Sequence, residues 1–295
     1  MRTKVPMIKF GIMSLLMFFL QSLVEKPIND EKKNYVSLEK LIKNQQIEAE
    51  INGTGGHLEN CIEFKLKNLT PDSLNVWIEA GRRLTSVDTN IQDILIVQNK
   101  TFQVGPDEDF TAKGNGYCCQ SNHQSPRVSS EFRIGKMAPE NWLKLAKIID
   151  KNKFPPLAIQ SAVWVVSNNH ELSSIHCNNM TLIAPLRHTV AEIKGLVLPW
   201  YTLTYENDTS TLFSGKPSEL FSEISYYLNT NAAITITIRN TKGELVYTVA
   251  NRLNPGRGHH SFELKLPVRN WPKGDYSLCI YEDYNNLNTK KVFKL

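Results

Sequence analysis

The most reactive side chains in this chain of 295 residues are five cysteines, Cys61, Cys118, Cys119, Cys177 and Cys279. The count is odd, so any pairing leaves at least one thiol over. Two of the five are adjacent, in Tyr117-Cys118-Cys119, which is expected to lie in a Gly/Asn-rich loop together with Lys113 to Gly116. A cysteine thiolate is both a nucleophile and a metal ligand. With His123 the pair could seed a metal site, joined by His57, His176 or Cys177, but adjacent cysteines lack the Cys-x-x-Cys spacing of such sites. A disulfide to Cys61 or Cys177 plus a loop histidine is the plainer expectation, and no metal or cofactor is expected. A thiol hydrolase using Cys118 with His123 or His176 would need an orienting carboxylate that no local context supplies, so an enzyme is not the favoured reading. His259-His260 opens a strand-like run, where successive rings point to opposite faces.

The second residue with chemistry in reach is Gln160, within Ile159-Gln160-Ser161-Ala162-Val163-Trp164 on the most apolar helical stretch of the chain. Tyr117-Cys118 and this Gln-x-Ala-x-Trp-like helix together resemble the thioester domains of bacterial surface adhesins, over about residues 60 to 195. The resemblance implies that the Cys118 sulfur and the Gln160 side-chain carbonyl join in an internal thioester that captures host amines. Tyr117, Cys119, Ala162 and Trp164 would be supporting residues. Such a bond forms when the thiol displaces ammonia from the amide, and it survives only where water is kept out. The chain departs from the family pattern in two places: Ile159 stands where a Thr is usual, and Cys119 offers the sulfur a competing disulfide partner.

These residues need a sheet and a set of helices to hold them. Residues 26 to 50 are rich in Lys, Glu and Asn and read as a flexible leader, with a helical turn or two around Ser37 to Ile42. From Cys61 the apolar period becomes two, with Ile62, Phe64 and Leu66 alternating with charged residues. Strands are expected at Leu74 to Ala80, Asp93 to Val97, Thr101 to Val104 and Ser130 to Ile134. The pattern then turns helical. Pro139 opens one amphipathic helix, Pro155-Pro156 opens a second over Leu157 to Val166, and a third runs from Thr181 to a stop at Gly195, with Pro185 near its first turn. A helix as apolar as the second is buried.

Beyond a link at Leu196 to Trp200, seven further strand-like runs are separated by turn sequences such as Asn-Thr-Lys-Gly and Pro-Lys-Gly-Asp, at the spacing of an all-β sandwich. The expected fold is therefore mainly β with helices, of α+β class: a β-sheet plus helical bundle head followed by an immunoglobulin-like β-sandwich. The corresponding boundaries are a signal peptide over 1–24, a flexible leader over 25–50, the head over 51–198 and the sandwich over 199–295. The last 65 or so residues, with ITITIRNTKGELVYTV, GRGHHSFEL and WPKGDYSLCIYEDYNNLNTKKVFKL, are similar to the C-terminal sorting domains of type IX secretion and to the related FlgD-like immunoglobulin fold. That similarity implies an address or packing module whose partner is secretion machinery, with the terminal residues completing a sheet.

Arg2, Lys4 and Lys9 followed by the uncharged run Phe10 to Leu20 have the form of an export signal, with cleavage expected near Ser22. The alternative is an uncleaved N-terminal anchor. The net charge of +5 is scattered, so no nucleic-acid partner is expected, and the charged fraction of 21% is that of an ordinary globular chain. The expected function is that of a secreted, cell-surface or periplasmic bacterial binding or adhesion-type protein with an extracellular protein or glycan ligand. The alternatives are a structural envelope protein without a thioester and a thiol-dependent hydrolase.

Overall fold

A computed structural model describes residues 34–207 and 212–295. The export signal and the first part of the leader lie outside the described residues. From Val36 onward the leader is not flexible chain but packed structure: β1 (Val36–Ser37), α1 (Leu38–Lys43) and β2 (Ile47–Thr54). The reason is four apolar side chains, Leu38, Leu41, Ile47 and Ile51, all buried in the core of the head. Their spacing in a polar background is too sparse to register as a hydrophobic segment. Ser37 caps α1, accepting a hydrogen bond from the Lys40 amide at 3.3 Å.

The chain continues through β3 (Ile62–Asn68), β4 (Leu74–Ile78), β5 (Arg82–Ser86), β6 (Ile94–Ile96), β7 (Lys100–Val104), β8 (Asp109–Gly114), β9 (Gly116–Cys118) and β10 (Val128–Met137). Seven of these strands form one sheet in the order β8-β3-β2-β10-β5-β6-β9, while β1, β4 and β7 make a small second sheet. Strands β8 and β9 are separated only by Asn115, yet they occupy opposite edges of the large sheet. The sheet must therefore curl until its edges meet. Two glycines allow the crossing: a Cβ on Gly114 would come 2.6 Å from the Phe64 ring, and one on Gly116 would collide with Ile94. Tyr117-Cys118-Cys119, expected in a loop, is thus part of and adjacent to a buried edge strand.

Three helices cover one flank of this sheet: α2 (Glu140–Lys151), α3 (Pro156–Asn168) and α4 (Met180–Lys194). Pro156 occupies the first position of α3, where its missing N–H costs nothing, and Asn169 ends the helix in the left-handed conformation at φ 57°. In α4 the Asn179 side chain caps the N-terminus and Gly195 the C-terminus, but Pro185 is interior rather than in the first turn because the helix begins at Met180. The three helices contact one another and enclose a second apolar cluster with the sheet, made of Leu145, Ile149, Val163, Ile183, Leu186 and others.

The C-terminal part consists of β11 (Thr202–Tyr205), β12 (Pro217–Leu228), β13 (Ile234–Asn240), β14 (Leu245–Leu253), β15 (Gly258–Pro267), β16 (Asp275–Glu282) and β17 (Asn286–Lys294). They form a three-stranded sheet, β11-β12-β15, and a four-stranded sheet, β14-β13-β16-β17, with one apolar cluster between them. The last strand belongs to that core: Phe293 is 2% exposed, and Gly274 and Leu295 exchange backbone hydrogen bonds at 3.1 and 3.0 Å. Trp200 and Tyr201 clamp this sheet edge, the Trp200 indole donating to the Val292 carbonyl and the Tyr201 hydroxyl to the Lys294 carbonyl. The link is itself fixed by Arg187 of α4, whose guanidinium donates to the carbonyls of Pro199 and Tyr201 at 2.9 and 3.0 Å.

Candidate functional site

Strand β9 pairs with β6 on one side, Cys118 opposite Ile94 and Tyr117 opposite Leu95. Its other side is served by the chain around His57 to Glu59 and by one side chain, Gln160. The Gln160 Nε2 donates to the Cys118 carbonyl at 2.9 Å, and the Gln160 Oε1 accepts from the Cys118 amide at 3.0 Å. That amide also donates to the His57 carbonyl at 3.2 Å. A residue on α3 thus takes the place of a neighbouring strand, matching donor to acceptor and acceptor to donor across 42 residues of sequence. Gln160 is 1% exposed and Cys118 fully buried, so both bonds are dry.

The alternation of β9 sorts the side chains around this contact. Cys118 points into the sheet interior with Cys61, Ile62, Ile94 and Trp164. Tyr117 and Cys119 point the other way, into the helical cluster with Ala158, Ile159, Ala162 and Val163. Two small residues, Ala158 and Ala162, let α3 come close enough for Gln160 to reach the strand, and Trp164, one turn further along the same face, joins the Cys118 side. All six residues singled out in the sequence, Tyr117, Cys118, Cys119, Gln160, Ala162 and Trp164, are therefore buried at one α3–β9 junction.

All five cysteines are free thiols, so the expected disulfide is not formed. Cys118 and Cys119 project to opposite faces of one strand and cannot take a common partner. Cys61 instead donates to the Gly116 carbonyl at 3.3 Å, and Cys177 to the Asn179 carbonyl at 2.9 Å. Burial pushes the Cys118 thiol far above its ordinary range, with Cys61 and Cys119 adding to the shift, and it pushes Cys61 up to about 12. These sulfurs are protonated across the physiological range. The same divergence of Cys118 and Cys119 undoes a metal site with His123, and among the described residues no three His, Cys, Asp or Glu side chains gather as ligands. His176, the other candidate base, bonds Thr202 at 2.8 Å and packs tilted against Phe221 with centroids 4.5 Å apart, so its ring is committed to the link with the C-terminal sheets.

Three rings near the junction carried no signal of this role in the sequence. The His57 ring lies parallel to Trp164, centroids 6.2 Å apart, and burial lowers its pKa. His170, just past the end of α3, packs against Trp164 at 5.6 Å and against Phe213 of the C-terminal part at 4.1 Å. Its Nε2 lies 2.8 Å from the Ser121 hydroxyl, whose amide is held by the Asn168 side chain. This is nucleophile-and-base geometry, but the His170 Nδ1 is buried without a partner and desolvation lowers the ring to about 4, so no carboxylate strengthens it as a base. Three surface hollows, near Trp142 and Lys194, near Glu39 and Arg83, and near Lys65 and Phe110, are not lined by Cys118, Gln160 or Ser121. The α3–β9 junction is closed.

A scan against models of protein families and a search of curated proteins find no match to this chain.

Proposed function

We propose that this chain is a secreted or surface-displayed bacterial binding protein of the adhesin type, in which Cys118 and Gln160 close an internal thioester that captures a nucleophile on an extracellular protein or glycan. The observation that carries the reading is the two-way hydrogen bond between the Gln160 amide and the Cys118 backbone, buried on all sides. In the reaction the Cys118 sulfur bonds to the Gln160 side-chain carbon. The oxygen that becomes the oxyanion already accepts from the Cys118 amide, which is the placement a stabilising donor needs. The carbon–nitrogen bond then breaks and ammonia leaves, carrying the thiol proton. A ligand amine or hydroxyl later displaces the sulfur and restores the thiol. The surrounding apolar cluster keeps water from hydrolysing the product.

In this reading the C-terminal strands are an immunoglobulin-like sandwich that supports the head and addresses it to secretion machinery. Its support is the pair of sheets closed over one core by the final strand, together with the similarity of residues 234 to 295 to type IX sorting domains. Intact mass tests the chemistry. A thioester lowers the mass by about 17 Da, one ammonia, and the deficit disappears in Cys118→Ala. A full mass in the unsubstituted chain would make Gln160 a core strut and nothing more. For the address, removal of residues 290–295 should keep the protein from the cell surface, and unchanged display would refute it.

A further inference from the structure

The C-terminal part enters the head at a point beside the Cys118 cluster. Beyond β11 the chain leaves the sheet, and Leu212 and Phe213 pack on the apolar cluster that contains Cys118 and Trp164. The Phe213 ring lies 4.1 Å from His170, 4.6 Å from Tyr205 and 6.1 Å from Trp164. Trp164 is therefore hemmed by His57 from the head and by Phe213 from the C-terminal part, and it shares a helix face with Gln160. Phe213 itself joins this wall through ring contacts alone: His170 is tied by its Nε2 to the Ser121 hydroxyl at 2.8 Å, while Trp164 Nε1 and His170 Nδ1 are buried and find no hydrogen-bond partner. Residues 212–216 belong to no strand or helix, and the flanking backbone bond is from Glu206 to the Lys216 carbonyl at 2.9 Å. Among the described residues, lifting Phe213 out breaks no backbone ladder, whereas Trp164 and Gln160 are built into α3.

We propose that Phe213 is the stopper of the α3–β9 junction: a ring of the C-terminal part shuts Cys118 and Gln160 away from solvent, and its withdrawal opens them. The C-terminal part then controls access to the head as well as supporting it. The consequence for covalent capture rests on the thioester reading, while the seal itself does not. The test uses the full chain carrying Gln160→Glu, which cannot lose ammonia to the sulfur and in which a buried, protonated carboxyl keeps a donor and an acceptor facing Cys118. Alkylation by iodoacetamide is followed at each cysteine by peptide mapping. Adding Phe213→Ala should speed modification of Cys118 by about tenfold or more. Cys279, buried on the face of β16 opposite the core residues Leu278 and Ile280, should keep its rate, and Phe213→Leu should return Cys118 to near its protected rate. An unchanged rate at Cys118, or a rise only in step with Cys279, overturns the proposal. Because no thioester forms in this background, a failed seal is distinguishable from a failed thioester, which the intact mass of the unsubstituted chain reads separately.

Discussion

Replacing Gln160 by Met measures how much the α3–β9 junction depends on one side-chain amide. Methionine nearly matches glutamine in length and volume, so the packing of Ala158, Ala162 and Trp164 around it is retained and the hydrogen bonds alone are lost. The two bonds are not equivalent. The Cys118 amide keeps the His57 carbonyl at 3.2 Å, so losing Oε1 costs it about 0.5–1 kcal/mol. The Cys118 carbonyl has no other partner in the ladder once Nε2 is gone, and a buried unsatisfied acceptor costs about 1–3 kcal/mol. The sum is about 1.5–4 kcal/mol, or a fall in Tm of about 3–16 °C for a chain of this size. Reference and variant should both carry Cys118→Ala, which keeps the backbone at 118 and removes any contribution from a thioester. Urea unfolding should show the midpoint falling with an unchanged m-value. A change below about 0.5 kcal/mol would mean that Gln160 does not bridge the helix to the strand.

Other consequences follow from the same contacts. Arg82, 2% exposed, bonds both carboxylate oxygens of Glu79, at 2.6 and 3.1 Å, and the Glu39 carboxylate at 2.5 Å. Arg82→Met strands the buried Glu79 charge and should cost about 3–5 kcal/mol, whereas Glu39→Gln at the half-exposed end should cost under about 1 kcal/mol; equal effects in denaturant melts would refute this assignment. Phe293→Ala should destabilise by about 3–5 kcal/mol, since it empties a fully packed position of the last strand, and a loss under about 1 kcal/mol in the same assay would place that strand outside the core. The folded state holds His170 at about 4, below its ordinary 6.5, so it favours the neutral ring. Stability is complete above pH 6.5 and declines as the pH falls toward 4, because only the unfolded chain takes the proton freely in that window. His57 and His176, also lowered by burial, contribute in the same direction. His170→Phe should flatten part of that slope in Tm measured against pH, and an unaltered slope would show the ring to be solvated.

The strands and helices with a clear period were legible in the sequence. Pro139, Pro155-Pro156 and Gly195 bracket the three helices to within a residue or two, because proline and glycine act through local backbone geometry. The strand β2 was not legible: Ile47, Ala49 and Ile51 alternate with acidic residues in a segment dominated by charge, and only the curled sheet shows why Ile47 and Ile51 are buried. The Gly/Asn composition before Tyr117 signals a turn, yet Gly114 ends β8 and Gly116 opens β9, where they serve close packing against Phe64 and Ile94. The pairing of Cys118 with Gln160 was legible only through a motif, since nothing in composition or period joins residues 42 positions apart. His170, Ser121 and Phe213 were beyond reach for a related reason: each acts through a neighbour distant in sequence, and no local pattern records which loop will meet which helix end.

In the proposed chemistry the Cys118 sulfur and the Gln160 side-chain carbon, held at one buried junction, become bonded. Intact mass of the purified full chain, taken before any exposure to amines, followed by mapping of the peptides that carry residues 118 and 160, reads that bond. The mass should be about 17 Da light, with a cross-linked peptide joining Cys118 to Gln160, and both features should be absent in Cys118→Ala. A full mass with five titratable thiols would contradict this chemistry.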